Sequence, residues 1–286
     1  MNLSEINIRD PFILLYKDKY YMYGSRVGVQ EGFDVYISDD LVNWSRPVSV
    51  FEKYDEFWGV EQFWAPEVHF YHDMFYMFAS FKDRENHRGT AILVSKTPDG
   101  KFEEHSKGAV TPEEWSCLDG TLYVENDVPY MIFCHEWTQI KDGEMCVVRL
   151  SDDLRSATSE PKLLWKASDA EWAFDDTDND DYVTDGPFLY RINNKLICMW
   201  SGFSKNGYCQ AIAYSDNDKI NGNWMHLEQP LYENDCGHGM LFQTKNGELK
   251  VIFHRPNKDT LERPCILDVD EVKIINAICD CDKLER

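Results

Sequence analysis

Five polar residues recur at the start of a repeated strand pair, and side chains of these types can perform acid–base chemistry once they meet. Each opens an apolar strand that leads through a polar turn into a second, aromatic-rich strand. The residues are Asp10, Glu67, Asp119, Asp185 and His238. Neighbouring members lie roughly 50 to 65 positions apart, a spacing typical of repeat architectures. Carboxylates brought together away from water exchange protons near neutral pH, so the pattern predicts one site built from all five units.

A second landmark supports the repeat. In the first four units a third strand ends in a serine-led turn, and the spacing from the mouth residue is nearly constant. These serines are Ser38, Ser95, Ser151 and Ser215. Turn dipeptides such as Asn-Gly and Asp-Gly separate the short strands. Five units of four antiparallel strands predict an all-β, five-bladed β-propeller, whose first strands line a central channel with the active site at its mouth.

The repeat predicts one domain over residues 1–275, with blades at about 6–60, 61–112, 113–168, 182–232 and 235–275. Residues 276–286 read as a polar and partly disordered tail, and no helix longer than about two turns is expected. Residues 6–8 or 267–269 are expected to supply a strand that closes the ring. The Asp-rich insertion at 169–181 is expected to form a loop at the rim.

Composition limits the partners. The formal net charge of −22 argues against nucleic acid, because binding to phosphates depends on clusters of Lys and Arg. No apolar run reaches the roughly 18 residues of a membrane span. The N-terminus has no basic and apolar leader, and the nine cysteines include no C-x-x-C pair, so a reducing cytoplasm is expected. The sequence does not indicate the oligomeric state.

Several motifs in order resemble the blade motifs of glycoside hydrolase family 43. They are Arg-Asp-Pro-Phe at residues 9–12, Trp-Ala-Pro-Glu-Val at 64–68, Thr-Asp-Gly-Pro at 184–187 and Gly-His-Gly at 237–239. The resemblance runs from about residue 6 to residue 272. It implies a five-bladed propeller that hydrolyses α-L-arabinofuranosides, β-D-xylosides or some galactosides with inversion, and hence an oligosaccharide substrate.

The resemblance also implies roles for three carboxylates. Asp10 would be the general base, Asp119 would orient the general acid and raise its pKa, and Asp185 would be that acid. Inversion requires a gap of about 6.5–9.5 Å between the acid and the base, so that a water molecule fits. The family has a Glu where this chain has Asp185, which is one methylene shorter. Either the substrate lies deeper, or another carboxylate donates the proton.

Glu136 is the alternative acid, although a hydrogen-bonding or sugar-clamping role is favoured for it. Glu67 is expected to contact a substrate hydroxyl, Trp64 to stack on a sugar ring, and Arg255 to reach a sugar oxygen. His238 resembles a channel histidine that helps to hold calcium, with a hydrogen-bonded residue and no ion as the alternative.

Three rival functions stay open on the sequence. A related five-bladed phosphorylase would need a basic cluster for phosphate. A retaining fructoside hydrolase would need carboxyl groups about 5–5.5 Å apart. A non-catalytic glycan-binding propeller would account for the shortened acid at position 185.

Overall fold

The computed structural model describes residues 1–28, 31–175 and 179–284, with residues 280 and 282–284 described as backbone only. Its strands form five sheets, each built from strands that are consecutive in sequence. The first contains β1 (Ile8–Tyr16), β2 (Lys19–Arg26), β3 (Gly32–Ser38) and β4 (Val48–Glu52). The second contains β5 (Glu61–Tyr71), β6 (Met74–Lys82), β7 (Arg88–Ser95) and β8 (Glu103–Glu104). The third contains β9 (Cys117–Glu125), β10 (Val128–His135), β11 (Glu144–Arg149) and β12 (Lys162–Lys166).

The fourth sheet contains β13 (Asp185–Ile192), β14 (Lys195–Ser204), β15 (Gly207–Ser215) and β16 (Trp224–His226). The fifth contains β17 (Gly237–Gln243), β18 (Leu249–Arg255) and β19 (Arg263–Asp268). The first strands of neighbouring sheets contact one another in a closed cycle, β1 with β5, β5 with β9, β9 with β13, β13 with β17 and β17 with β1. The predicted five-bladed propeller is confirmed, except that the fifth blade has three strands within the described ranges.

The expected closing strand is wrong. Residues 267 and 268 belong to β19, the third strand of blade five, and Ile8 already begins β1. The chain ends meet instead through polar contacts. The Asn7 side-chain amide donates to the Glu262 carbonyl at 2.7 Å, and the Arg263 guanidinium donates to the Ser4 carbonyl at 3.0 Å. The ring therefore closes by packing and side-chain hydrogen bonds.

The expectation of no helix longer than about two turns is also wrong. Apart from the single turn α1 (Trp137–Ile140), the described part of the chain forms one longer α-helix, α2 (Glu271–Leu284), which includes most of the predicted tail. Ile274 and Ile278 lie one turn apart on one face of α2, and both are buried in a cluster with residues of blades four and five. Neither described helix is long and apolar enough to cross a bilayer.

The insertion at residues 169–181 is only partly a rim loop. Its Trp172 is buried against Trp200 of β14, with the ring centroids 4.8 Å apart. This part of the insertion packs into the core between blades three and four. Residues 176–178 lie outside the described residues.

The contribution of α2 packing against blades four and five to the free energy of unfolding can be measured. Ile278→Ala should lower the free energy of unfolding by about 2–5 kcal/mol, because it removes a fully buried side chain and leaves a cavity. Val272→Ala on the same helix is the control, since Val272 is 66% exposed and its loss should change the value by no more than about 0.5 kcal/mol. Urea denaturation measures both. Equal, small effects would show that α2 is not docked.

Candidate active site

Each inner strand is irregular at one end, and the irregularity falls at equivalent places in the five blades. Strand register shifts there, and one residue takes a positive φ. These residues are Asp10 (φ 51°), Ala65 (φ 46°), Asp119 (φ 57°), Gly186 (φ 50°) and His238 (φ 49°). Left-handed backbone costs an L-residue about 1–2 kcal/mol, so its neighbours must hold it in place.

The backbone N–H of every one of these residues donates to a side chain of the preceding blade. The bonds run from Asp10 to His254 Nδ1 (3.3 Å), from Ala65 to Ser25 Oγ (2.7 Å), from Asp119 to Ser80 Oγ (2.8 Å), from Gly186 to Asp119 Oδ2 (2.9 Å) and from His238 to Ser201 Oγ (2.7 Å). We call these five bonds the inter-blade ring. Four of its acceptors come from a second strand; the fifth is the Asp119 carboxylate.

The ring corrects the sequence-based equivalence of the five mouth residues. Asp10, Asp119 and His238 are equivalent, but Asp185 lies one residue before its blade's ring position and Glu67 two residues after. Because of its offset from the ring position, the Glu67 side chain contacts Thr121 and His69 and does not line the cavity at the site ends of the inner strands. Its Oε2 accepts from Thr121 Oγ1 at 2.5 Å and lies 3.2 Å from His69 Nε2.

A cavity of about 270 Å³ opens where the site ends of the inner strands converge. It gathers five residues predicted from the sequence: Asp10, Trp64, Asp119, Asp185 and His238. Arg9, Arg26, Leu118 and Asp259 complete most of its wall. Glu67, Glu136 and Arg255 do not line it, and Arg255 is exposed at the end of β18.

His238 lies between two of the carboxylates. Its Nδ1 is 3.3 Å from Asp10 Oδ1 and 3.7 Å from Asp119 Oδ2. Burial opposes the charged imidazolium, but the negative charges of Asp10, Asp119 and Asp185 outweigh burial and raise the pKa of His238. In its protonated form, His238 attracts the side chains of both Asp10 and Asp119.

Asp10 is kept ionised. Burial acts to raise its pKa, but the charges of His238 and Arg9 and the hydrogen bond from Ser25 overcome it, and the pKa of Asp10 is lowered. Ser25 Oγ donates to Asp10 Oδ2 at 2.6 Å while accepting the Ala65 N–H. His254 stays neutral because burial lowers its pKa to about 4, which leaves Nδ1 free to accept the Asp10 N–H.

The other two carboxyl groups hold protons more strongly. Burial, together with the nearby charges of Asp185 and Asp10, raises the pKa of Asp119 to about 7 against the pull of His238. Burial likewise raises the pKa of Asp185, whose Oδ2 accepts from Tyr208 OH at 3.0 Å. Carboxyl groups whose environments push their pKa values apart can divide the roles of acid and base.

Glu136 contacts the cavity wall indirectly, through Arg88. It forms an ion pair with Arg88, whose guanidinium lies 4.6 Å from the Trp64 ring centroid. Arg88 also donates through Nε and Nη2 to Gln62 Oε1, at 2.9 and 2.7 Å. Glu136 is therefore buried as the partner of a stacked arginine.

The side chains do not form a ready calcium site. Over residues 1–28, 31–175 and 179–284, no group of three or more His, Cys, Asp or Glu side chains is placed to hold a metal ion. Calcium takes 6–8 oxygen ligands. His238 Nδ1 instead faces Asp10 Oδ1 at 3.3 Å, where an N–H on this nitrogen can donate to the carboxylate. Calcium remains a prediction from the resemblance.

The model for glycosyl hydrolases family 43 matches residues 3–270. The chain belongs to this family. It is 38% identical to an endo-arabinase from Bacteroides thetaiotaomicron VPI-5482 of known crystal structure, with a TM-score of 0.89 over 94% of this chain and 96% of that one. A thermostable family-43 glycoside hydrolase is 26% identical, with a TM-score of 0.81 over 92% of this chain and 90% of that one.

A curated beta-xylosidase from Bacillus subtilis (strain 168) is 23% identical over 269 residues. The match covers 84% of this family-43 chain but 46% of that relative, so the chain spans about half of the relative's length.

Sequence reasoning missed the residues that hold the site together in this family-43 chain. Ser25, Ser80, Ser201 and His254 occupy equivalent places near the ends of the second strands, and this regularity was visible in the repeat. Tyr208 and Arg88 had no such signal, because they lie on third strands whose facing partners only the fold reveals.

The raised pKa of Asp119 makes stability depend on pH. An unfolded Asp has a pKa of about 3.9, so between there and about 7 the folded state keeps a proton that the unfolded state has released. The free energy of unfolding should fall as pH rises across this window, and Asp119→Asn should reduce the fall. Urea denaturation at pH 5 and pH 8 measures it.

The control is Asp10→Asn. Because the pKa of Asp10 is lowered, this carboxyl is ionised in both the folded and the unfolded state above pH 5. The Asp10→Asn protein should therefore still lose stability as the pH rises from 5 to 8. An Asp119→Asn protein whose stability falls as much as that of the parent chain would contradict the assignment.

Proposed function

We propose that this chain is a glycosidase that hydrolyses O-glycosidic bonds of arabinose-, xylose- or galactose-containing oligosaccharides with inversion. The observation that carries the proposal is one cavity holding a carboxylate with a lowered pKa, Asp10, beside two carboxyl groups with raised pKa values, Asp119 and Asp185. Glycoside inversion needs one ionised and one protonated carboxyl group on opposite sides of the bond.

Asp10 is the proposed general base. The ionised carboxylate accepts a proton from a water molecule as that water attacks the anomeric carbon. Ser25 and the Asp10 N–H bond to His254 fix the carboxylate on a rigid backbone. Fixed donors of this kind reduce the reorganisation needed in the transition state.

Asp185 is the proposed general acid, and Asp119 its positioning residue. Asp119 accepts the N–H of Gly186, the residue that follows Asp185, and so holds the strand segment that carries the acid. The raised pKa of Asp185 keeps a proton available for the departing oxygen. Tyr208 fixes the orientation of this short side chain.

The substrate is proposed to be a neutral oligosaccharide. The two arginines of the cavity are already paired, Arg9 with Glu262 and Arg26 with Asp34 and Glu52, which leaves no cationic pair for phosphate among the cavity residues named above. This disfavours a phosphorylase. The similarity to an endo-arabinase and to a beta-xylosidase makes arabinosides and xylosides the first compounds to test.

The direct test is a panel of para-nitrophenyl arabinofuranoside, xyloside and galactofuranoside. The parent chain should release nitrophenol from at least one, and Asp10→Asn should lower kcat/KM by about 10²–10⁴-fold, because general-base assistance is lost. Proton NMR of the first-formed sugar should show the inverted anomer. Retention would favour a fructoside-hydrolase type of mechanism, and sugar binding without turnover would favour a glycan-binding propeller.

Leaving-group dependence tests which carboxyl group is the acid. Asp185→Asn should cripple turnover of glycosides with poor leaving groups and spare dinitrophenyl glycosides, which depart with little protonation. Glu136→Gln is the matched comparison, since Glu136 is held by Arg88 outside the cavity wall. If Glu136→Gln alone shows the leaving-group dependence, Glu136 is the acid and Asp185 a positioning residue.

A further inference from the structure

A second cavity, of about 370 Å³, lies on the same face of the propeller as the first. It is lined by the turn between β6 and β7 and by the connection from β8 to β9. Lys82, just before that turn, pairs with Glu61 near the site end of β5, while the connection runs into Leu118 and Asp119 of the first cavity. Both walls of the second cavity therefore lead directly to the proposed catalytic centre.

The two cavities share a partition. Trp64 lines the first and Arg88 lines the second, and the guanidinium stacks on the indole at 4.6 Å from its centroid. Glu136 and Gln62 hold Arg88 in this position. The partition is thus a stacked pair of flat groups, with Trp64 lining the first cavity and Arg88 lining the second.

The second cavity combines two indoles with polar side chains. Trp58 and Trp115 line it, and Trp115 is braced by stacking on His135, with ring centroids 4.1 Å apart and planes 10° apart. Asp83, Lys107 and Glu113 add donors and acceptors of both charge signs. Flat aromatic surface beside mixed polar groups suits a neutral ring with hydroxyl groups.

We propose that this second cavity is a distal sugar subsite, which binds a further residue of the oligosaccharide whose scissile bond lies at Asp10 and Asp185. The assignment rests on the proposed hydrolase function for its substrate class. It makes Trp115 and Lys107 determinants of chain length: substrates with several sugars reach both cavities, and short ones occupy only the first.

Binding to an inactive protein tests the subsite without turnover. Asp10→Asn is titrated by calorimetry with α-1,5-arabinopentaose, β-1,4-xylopentaose and the two matching disaccharides. Adding Trp115→Ala should weaken binding of the preferred pentasaccharide about tenfold, the loss of one aromatic contact, and leave binding of its disaccharide unchanged. Lys107→Ala, at an exposed side chain of the same wall, should act in the same direction without endangering the fold.

Phe70→Ala in the same background is the control. Phe70 is 44% exposed on β5 but lies at the end of that strand opposite to Trp64, so its loss should leave both affinities unchanged. Failure of Asp10→Asn to bind either pentasaccharide would overturn the proposal. So would Trp115→Ala and Lys107→Ala variants that bind pentasaccharide like the Phe70→Ala control.

The outcome is separable from that of the hydrolase proposal. If the parent chain cleaves no glycoside but Trp115→Ala still weakens pentasaccharide binding selectively, the subsite stands and hydrolysis fails. If the parent chain cleaves aryl glycosides but the variants bind pentasaccharide unchanged, hydrolysis stands and the subsite is wrong.

Discussion

The inter-blade ring is the constraint on which the site depends. Five backbone N–H groups, each on a residue with positive φ, are satisfied by a side chain of the preceding blade. A buried N–H without an acceptor would cost about 1–3 kcal/mol, so each bond favours both the strained backbone and the docking of two blades. The strand irregularities that the ring stabilises direct Asp10, Asp119 and His238 into the cavity. The contacts that join neighbouring blades therefore also place the reactive groups.

The electrostatics follow from that placement. Three carboxyl groups and one imidazole share a small, buried space, where like charges cannot all be ionised at once. His238 stabilises the negative charge of Asp10 directly, and Arg9 adds to it. Asp119 and Asp185 respond to the same burial by holding protons. The difference arises because the charges of His238 and Arg9 and the Ser25 hydrogen bond outweigh burial at Asp10, whereas at Asp185 burial outweighs the lowering effects of His238 and the Tyr208 hydrogen bond.

The sequence predicted what depends on local patterning. Local sequence patterns mark the strand pairs, the turns and the repeat spacing of Asp10, Asp119 and His238. The propeller and the convergence of these side chains could therefore be predicted. The offsets of Glu67 and Asp185 could not, because a one-residue irregularity changes which side chain faces the channel. The helix over residues 271–284 carries a readable helical spacing in Ile274, Ala277 and Ile278, which the sequence analysis missed. The Arg88–Glu136 pair depends on partners distant in the sequence, which periodicity does not reveal.

Blade three differs from blades one, two and four at one ring position, where it has a cysteine in place of a serine. Register places Cys134 where Ser25, Ser80 and Ser201 stand in other blades, opposite Leu118 as Ser25 is opposite Arg9. A thiol is a poor acceptor, and the Gly186 N–H instead bonds to the Asp119 carboxylate. Five equivalent units would present five equivalent positions, and a symmetric ring cannot distinguish a proton donor from a proton acceptor. His254 in blade five and Cys134 in blade three both break the rotational symmetry of the scaffold, and the change at Cys134 ties the Asp119 carboxylate to the backbone that carries Asp185.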